Sequence, residues 1–449
     1  MRRLFGTDGV RGLANLHPIT SEVALQLGRA ASFVFKNNHK NHRIVIGKDT
    51  RLSGYMLESA LVSGITSMGA DAILIGPVPT PGIAFITQSM RADAGIVLSA
   101  SHNEFQDNGI KFFDRYGYKL PDEVELKMEQ LIEDGTLDQH RPTAEGLGRA
   151  YRVDDAKGRY IEFLKGTFPR HLTLEGLKLV VDCAHGASYQ IAPTVFEELG
   201  AEVISIGIQP NGLNINRGWG ALHPEKIAQK VKETGADLGC AFDGDADRVV
   251  FCDEFGETVE GDHIMALTAD HLSRIGALKN KTVVSTIMAN KGLELFLEGL
   301  GIQLIRTQVG DRYVTEAMRE KGYNYGGEPS GHYIFLDYNT TGDGIVGALQ
   351  MLSIMCETGK KLSELKKRCE MFPQVSTSVV VKQQRPIEEI PELVRSIHNA
   401  EKSLGPRGRL VVRYSGTEPV LRIMLESADM NLINRLSEDL KSVVERTLT

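Results

Sequence analysis

Several familiar chemistries are excluded by what the sequence lacks. It has no Cys-x-x-Cys pair, no Gly-x-x-x-x-Gly-Lys-Ser/Thr phosphate loop and no Gly-x-Ser-x-Gly elbow. Structural zinc, nucleotide binding through a Gly-x-x-x-x-Gly-Lys-Ser/Thr loop and a serine-hydrolase nucleophile are therefore unsupported. The five cysteines are odd in number, which argues against a disulfide framework and for buried thiols in a reducing compartment. No apolar run approaches the ~20 residues of a membrane span, and Met1-Arg2-Arg3 runs into Leu-Phe-Gly-Thr-Asp-Gly without an apolar signal region. A cytoplasmic chain without membrane contact is the expectation. The net charge of -7 is carried without a basic stripe, so nucleic acid is not an expected partner.

What is present begins with an internal repeat. Arg43-Ile-Val-Ile-Gly47 precedes a helical pattern over 53–68, then Gly69-Ala-Asp-Ala-Ile-Leu-Ile-Gly76 and the apolar strand Gly95-Ile-Val-Leu98. Lys178-Leu-Val-Val-Asp182, a helix over 190–199, Gly200-Ala-Glu-Val-Ile-Ser-Ile-Gly207 and Asp237-Leu-Gly-Cys-Ala-Phe242 repeat that order. A shorter third copy runs through Lys281-Thr-Val-Val-Ser-Thr286, Gly301-Ile-Gln-Leu-Ile-Arg306 and Tyr323-Asn-Tyr-Gly-Gly327. Continuous apolar strands alternating with helices predict three α/β domains with mostly parallel sheets. The remainder alternates like half-exposed strands around helices near 387–404 and from Met430, which predicts a C-terminal α+β domain with an antiparallel sheet. The expected units are 1–150, 151–256, 257–370 and 371–449. A chain of 449 residues exceeds what one core usually supports, so a cleft between domains is expected.

Parallel sheets bind ligands beyond the carboxyl ends of their strands. Each repeat places a polar segment there: Ser99-Ala-Ser-His-Asn103, Asp243-Gly-Asp-Ala-Asp-Arg248 and Glu328-Pro-Ser-Gly-His332. One site built from three equivalent loops accounts for this. Asp243, Asp245 and Asp247 can converge on a hard cation, which relieves their repulsion and suits Mg²⁺. A helix N-terminus that tolerates acids is the plain alternative. An EF-hand fails, because Arg248 stands where the loop needs glycine and a strand precedes the triplet. Ser101 alone is an ordinary turn residue. With His102 adjacent, Lys111 downstream and the acids in the next repeat, it becomes a candidate covalent nucleophile. Arg413-Tyr-Ser-Gly-Thr417 with Arg422 offers hydroxyls, amides and two guanidiniums, a suitable phosphate clamp or else a polar hairpin turn. Gly6-Thr-Asp-Gly-Val-Arg-Gly12 and Gly47-Lys-Asp-Thr-Arg51 combine turn glycine with cations and read equally well as plain loops.

Taken in order, the Ser99–Asn103 segment with Asp107-Asn-Gly-Ile-Lys-Phe-Phe113, the Asp243–Arg248 loop, the Glu328–His332 loop and Arg413-Tyr-Ser-Gly-Thr-Glu-Pro419 resemble the four signatures of the α-D-phosphohexomutase superfamily across the whole chain. Phe5-Gly-Thr-Asp-Gly-Val-Arg-Gly12, the Asp107–Phe113 segment and the length are most similar to its bacterial glucosamine-phosphate branch. The resemblance implies that glucosamine 6-phosphate and glucosamine 1-phosphate are interconverted through a sugar bisphosphate. The alternative is a phosphomannomutase or phosphoglucomutase with the same machinery. It implies a phosphoryl group on Ser101 and one Mg²⁺ per active site among Asp243, Asp245, Asp247 and Ser101. Glu328 and Ser330 would contact sugar hydroxyls, and Arg413, Ser415, Gly416, Thr417 and Arg422 would grip the phosphate not being transferred. Arg11, His102 and Lys111 would lie near the phosphoserine, with proton transfer assigned to Lys111 and His332. A sugar bisphosphate would act as activator, the partner would be a small phosphosugar, and a homodimer is left open. Glu104, Pro329 and Tyr414 depart from the usual family pattern. A metal-dependent phosphatase would not need the second phosphate grip, and a silent sugar-phosphate sensor would not need Ser101 with the acids.

Overall fold

The computed structural model describes residues 4–6, 8–36, 42–415 and 419–448. Four sheets follow one another along the chain. In each of the first three, one strand lies between two parallel neighbours. Arg43–Lys48 sits between Asp71–Pro77 and Ala94–Leu98, Lys178–Asp182 between Glu202–Ile206 and Leu238–Phe242, and Thr282–Thr286 between Gln303–Thr307 and Tyr325–Glu328. The repeat read from the sequence is therefore a repeat of structure. Its helices end as their glycines suggest, because Gly69, Gly200 and Gly301 all carry positive φ (84°, 104° and 69°) just past Gly54–Ser67, Ile191–Glu198 and Lys291–Gly299.

One element was not legible in the alternation of strands and helices. In every copy the third strand turns back as a hairpin, pairing antiparallel with Asp107–Asp114, Val249–Cys252 or His332–Phe335. The three polar segments are the tips of these hairpins. Asp107–Asp114 does not read as a strand because Asn108-Gly109 is ordinarily a turn signal. Here Asn108 is wholly buried, and a Cβ on Gly109 would meet the Ser99 carbonyl oxygen at 2.5 Å, so only glycine lets the return strand pass the nucleophile loop. The first sheet gains its last strand from Ala150–Arg152. In the third copy Lys279–Lys281 forms a short 3₁₀ turn, and the strand starts only at Thr282.

One apolar core runs through the first three units, joining Val45 and Phe113 to Phe196, Phe242, Leu293 and Leu349, and a second, with Ile44, Leu61 and Ile96, lies within the first unit. The fourth unit has its own core, in which Val379, Leu421, Ile423 and Leu425 meet Leu393 and Ala400 of Pro391–Leu404 and Ile433 and Leu440 of Met430–Leu448. Its sheet is antiparallel, with Val420–Glu426 between Gln374–Val380 and Arg409–Tyr414. Helix Pro391–Leu404 starts later than the pattern over 387–404 suggests, since proline is favoured in the first turn and Ile387–Glu389 ahead of it is a separate 3₁₀ turn. All five cysteines are free, four of them buried. No helix among the described residues is long and apolar enough to cross a membrane.

Candidate active site

The hairpin tips of the first and second units meet. Ser101 is buried in left-handed conformation (φ 50°), and its Oγ donates to Asp243 Oδ2 at 2.7 Å. A non-glycine residue held there carries roughly 1–3 kcal/mol of strain, so the surroundings must fix it. They do so through Arg51, which is 1% exposed. Its Nη2 donates to the carbonyl oxygens of Ser101 (2.9 Å) and Asn103 (2.7 Å), and its Nη1 to those of Asp107 (3.1 Å) and Glu104. Its Nε donates to Asp49 Oδ2 (2.8 Å), which also accepts from Ser99 Oγ (2.6 Å), and Ser99 Oγ in turn accepts from the Ser101 amide (2.9 Å). From the second unit, Asn216 Nδ2 donates to the carbonyls of Ser101 and Asn103, both at 2.8 Å. A Cβ on Gly244 would strike the Ser101 carbonyl oxygen at 2.7 Å, so a glycine is required where the two tips touch. Glu104 is exposed and joins the clamp only by its carbonyl, so its departure from the family pattern leaves the loop closed.

Asp243, Asp245 and Asp247 are buried with ligand oxygens within 4.8 Å of one another. Asp245 Oδ2 accepts from Thr80 Oγ1 (2.7 Å) and Lys111 Nζ (3.1 Å), whereas Asp245 Oδ1 and Asp247 Oδ1 are buried with no hydrogen-bond partner. Unpartnered buried carboxylate oxygens are costly, and a hard cation satisfies them. Burial, then Asp247 and Asp245, push the Asp243 carboxyl well above the usual carboxylate range. Burial also works against Asp247, but His332, Lys111 and Arg248 outweigh it and hold this carboxyl well below that range.

Around the acids runs a chain of alternating charge that the sequence did not disclose. Lys111 Nζ lies 3.0 Å from Asp8 Oδ2, Lys119 Nζ 2.6 Å from Asp8 Oδ1 and 2.7 Å from Asp311 Oδ2, and His332 Nε2 3.3 Å from Asp311 Oδ2. Arg11 Nη2 joins Asp8 at 3.4 Å. Burial opposes the charge on Lys111, yet Asp245, Asp8 and Asp247 keep its ammonium well above the ordinary lysine range. His332 is likewise raised to about 10, burial being overcome by Asp247 and Asp311. His102 moves the other way, to about 4, through burial and the cations Arg248 and Arg11. Its Nδ1 lies 3.1 Å from Arg248 Nη1, a group that only donates, so Nδ1 accepts. His102 is thus neutral beside Ser101.

These groups line a cleft of about 260 Å³ that also contains Glu328, to whose Oε1 the Gly310 amide donates (3.2 Å). The cleft brings together Ser101, His102, Arg11, Asp247, Glu328 and His332, with Lys111, Asp243 and Asp245 directly behind. Ser330 is exposed on its hairpin turn and does not line it. Arg413, Ser415 and Arg422 lie on the fourth unit, also outside the cleft. Arg413 and Arg422 are direct cross-strand neighbours, and Gly416 and Thr417 fall outside the described residues. Sequence reasoning missed Lys119 and Asp311, which sit singly in ordinary-looking segments, and met Asp8 only inside the Gly6–Gly12 run without giving it a role. It met Arg51 only as a loop cation, although the Gly-Lys-Asp-Thr-Arg run was the available signal.

Comparison with known proteins agrees with this geometry. The α/β/α domain I, II and III models of phosphoglucomutase/phosphomannomutase match residues 2–139, 158–256 and 260–372, and the C-terminal domain model matches 377–443. The chain is 60% identical over 448 residues to the phosphoglucosamine mutase of Citrifermentans bemidjiense, covering 100% of this chain and 99% of that one. It is 58% identical, at the same coverage, to the phosphoglucosamine mutase of Geobacter metallireducens. A solved phosphoglucomutase/phosphomannomutase family protein from Burkholderia thailandensis superposes with a TM-score of 0.82 at 25% identity, covering 99% of this chain and 97% of that one. Four matched domains in order and near-complete coverage at this identity show that the chain belongs to the phosphoglucomutase/phosphomannomutase family, the α-D-phosphohexomutases.

Proposed function

We propose that this enzyme interconverts glucosamine 6-phosphate and glucosamine 1-phosphate through a phosphorylated Ser101 and a glucosamine 1,6-bisphosphate, supplying amino-sugar nucleotide and cell-wall precursor synthesis in the cytoplasm. The observation that carries the reading is Ser101 Oγ at 2.7 Å from Asp243, at the junction of the acid triplet and the cleft. The relatives named as phosphoglucosamine mutases support the choice of sugar. Mg²⁺ held by Asp243, Asp245 and Asp247 beside Ser101 would supply Lewis-acid neutralisation of the phosphoryl oxygens.

The chain's own groups divide the remaining work. Lys111, fixed as an ammonium by three carboxylates, serves charge on the phosphoryl group rather than proton abstraction. His332 holds its proton at neutral pH and is suited to donate it. Glu328 at the cleft wall accepts from sugar hydroxyls. Arg413 and Arg422 face each other across two strands, and two guanidiniums side by side suit the phosphate not being transferred. After the first transfer the bisphosphate must turn so that its other phosphate meets Ser101. A grip carried by a separate unit can follow that turn while the first three units stay closed around the nucleophile. A sugar bisphosphate, acting as activator, would also phosphorylate Ser101 initially.

The test compares kcat/KM for the 6-phosphates of glucosamine, glucose and mannose. Glucosamine 6-phosphate is expected to lead by at least roughly tenfold, about 1.4 kcal/mol of transition-state discrimination. Equal or reversed preference moves the assignment to a phosphomannomutase or phosphoglucomutase. Intact-protein mass spectrometry is expected to find one phosphate, absent from Ser101→Ala together with nearly all turnover.

A further inference from the structure

The core of the fourth unit's sheet and helices is separate from that of the first three units, on which Met371 of the entering chain packs, and polar contacts tie the sheet to the third unit. Two of these meet at the short connection 287–291 between strand Thr282–Thr286 and helix Lys291–Gly299. Asn290 pins the entering chain from both sides: its Nδ2 donates to the Phe372 carbonyl and its Oδ1 accepts from the Phe372 amide, each at 3.0 Å. Arg409, at the start of strand Arg409–Tyr414, extends its guanidinium into the same connection and donates to the carbonyls of Ala289 (2.6 Å) and Ile287. Opposite Arg409 on the next strand stands Glu426, 0% exposed, with Oε2 3.5 Å from Arg409 Nη1 and accepting from the Lys291 amide at 3.2 Å. Glu426 Oε1 is held by Gln374 Nε2 at 3.0 Å.

The register gives this contact its consequence. Arg409 pairs with Glu426 and Arg413 with Arg422, so the two pairs occupy one face of one two-stranded ladder. The opposite face, with Leu410, Val412, Leu421, Ile423 and Leu425, packs on the unit's helices. The pairs are four positions apart along the strand, about 13 Å at the usual strand rise. An antiparallel ladder backed by two helices is stiff, so a change of angle at one end displaces the other. A cleft of about 630 Å³ between Met371–Gln374 and Glu260–Asp262 leaves room for such a change, and its wall includes Pro329 of the sugar loop.

We propose that Arg409 and Glu426 are positioning residues, a catch on the connection 287–291 that sets, through the shared strand ladder, where the Arg413–Arg422 pair presents itself to a phosphosugar. This rests on the reading of that pair as the phosphate grip. The pivot is the Asn290–Phe372 pair. Releasing the catch leaves the pivot and the grip's own residues in place but lets the ladder swing, so the bisphosphate is held less often in either orientation.

The experiment uses the full enzyme carrying Arg409→Met, Arg409→Lys, Glu426→Gln or Arg422→Ala, and reads free bisphosphate released per product formed, KM, kcat and melting temperature. Arg409→Met and Glu426→Gln are expected to raise bisphosphate release and KM at least about tenfold, with the phosphate content of Ser101 unchanged in the resting enzyme and falling during turnover in step with the release, since each bisphosphate lost leaves Ser101 unphosphorylated. Arg409→Lys keeps the charge but cannot span two carbonyls, and is expected to leak almost as much. A purely structural role would lower the melting temperature and leave the release ratio where it is. Leakage from Arg422→Ala with none from Arg409→Met or Glu426→Gln overturns the catch. Full retention by Arg422→Ala overturns the grip itself, and the proposal falls with it.

Discussion

Arg51 donates to the carbonyl oxygen of Ser101 at 2.9 Å from a side chain with essentially no solvent contact. All five of its N–H groups are used, four on carbonyls between Ser101 and Asp107 and one on Asp49. Arg51→Lys keeps a cation but has three donors on a flexible stem, so it cannot hold a planar array of acceptors. Each hydrogen bond to a charged group is worth about 1.5–3 kcal/mol. The variant is expected to lose at least 2 kcal/mol, roughly, of stability and more than tenfold in kcat, because the left-handed geometry at Ser101 loses its support. Melting curves and steady-state assays check this, and undiminished kcat in a destabilised variant would separate the clamp from catalysis.

A second expectation concerns the metal. With its carboxyl pushed up by burial and by its two neighbours, Asp243 takes a proton more readily than an ordinary carboxylate when no cation is present. Asp243→Asn then mimics the metal-free state, and its stability in chelator should match the parent's to within about 0.5 kcal/mol. Added Mg²⁺ should tell them apart. The parent should gain about 2.7 kcal/mol at a concentration one hundred times its dissociation constant, whereas the variant should gain nothing and should not turn over. Equal stabilisation of both by Mg²⁺ removes Asp243 from the ligand set.

The sequence disclosed what lies in runs and hid what lies in isolation. Repeats of strand, helix and glycine marked the first three units because burial on both faces forces continuous apolar strands. Asp243, Asp245 and Asp247 were visible because their own spacing brings them together. Lys119 and Asp311 are 192 positions apart by number and meet only through the packing of the first and third units. The return strand Asp107–Asp114 was hidden because Asn108 and Gly109 suggest a turn, yet Asn108 is buried with its amide on Ser53, Gly109 passes the Ser99 carbonyl, and Lys111 is buried against Asp245. Arg413 and Arg422 could be paired only once the register of the last sheet was known.

Asp262 supplies a pH dependence. Burial, reinforced by Glu426 and Glu260, raises its carboxyl to about 7, from an ordinary value near ~3.9. Because the folded value is the higher one, the unfolded chain loses this proton first. Stability from neutral Asp262 is full below pH ~4 and declines as pH rises to about 7, where the folded carboxyl also ionises. Asp262→Asn cannot ionise and can still accept from the Asn290 amide, which donates to Asp262 Oδ1 at 3.0 Å. Its advantage over the parent in urea midpoint should be small at pH 4.5 and grow to as much as ~4 kcal/mol by pH 8. A difference that does not vary with pH would contradict the shift.

Lys119 bridges the two sides of the cleft, Asp8 at 2.6 Å on the first unit and Asp311 at 2.7 Å on the third. Arg312 supplies a neighbouring bridge, from the helix that Asp311 begins to Glu125 at 2.8 Å and to Asp122. Asp311 also touches His332, and Asp8 touches Lys111, so Lys119 stands between the proton held on His332 and the ammonium behind Ser101. Lys119→Met leaves two half-buried carboxylates facing each other with only Lys111, Arg11 and His332 beside them, a loss on the order of 1.5–3 kcal/mol. Asp311→Asn alone leaves Lys119 with one acid, and the double variant removes the unpaired charge altogether. The double variant should therefore be more stable than Lys119→Met, with a coupling above ~1 kcal/mol, while kcat/KM stays at least ~100-fold down because the cleft has lost both its bridge and the support of His332. Strictly additive losses would mean that Lys119 and Asp311 act independently and that the bridge does not hold the cleft in shape.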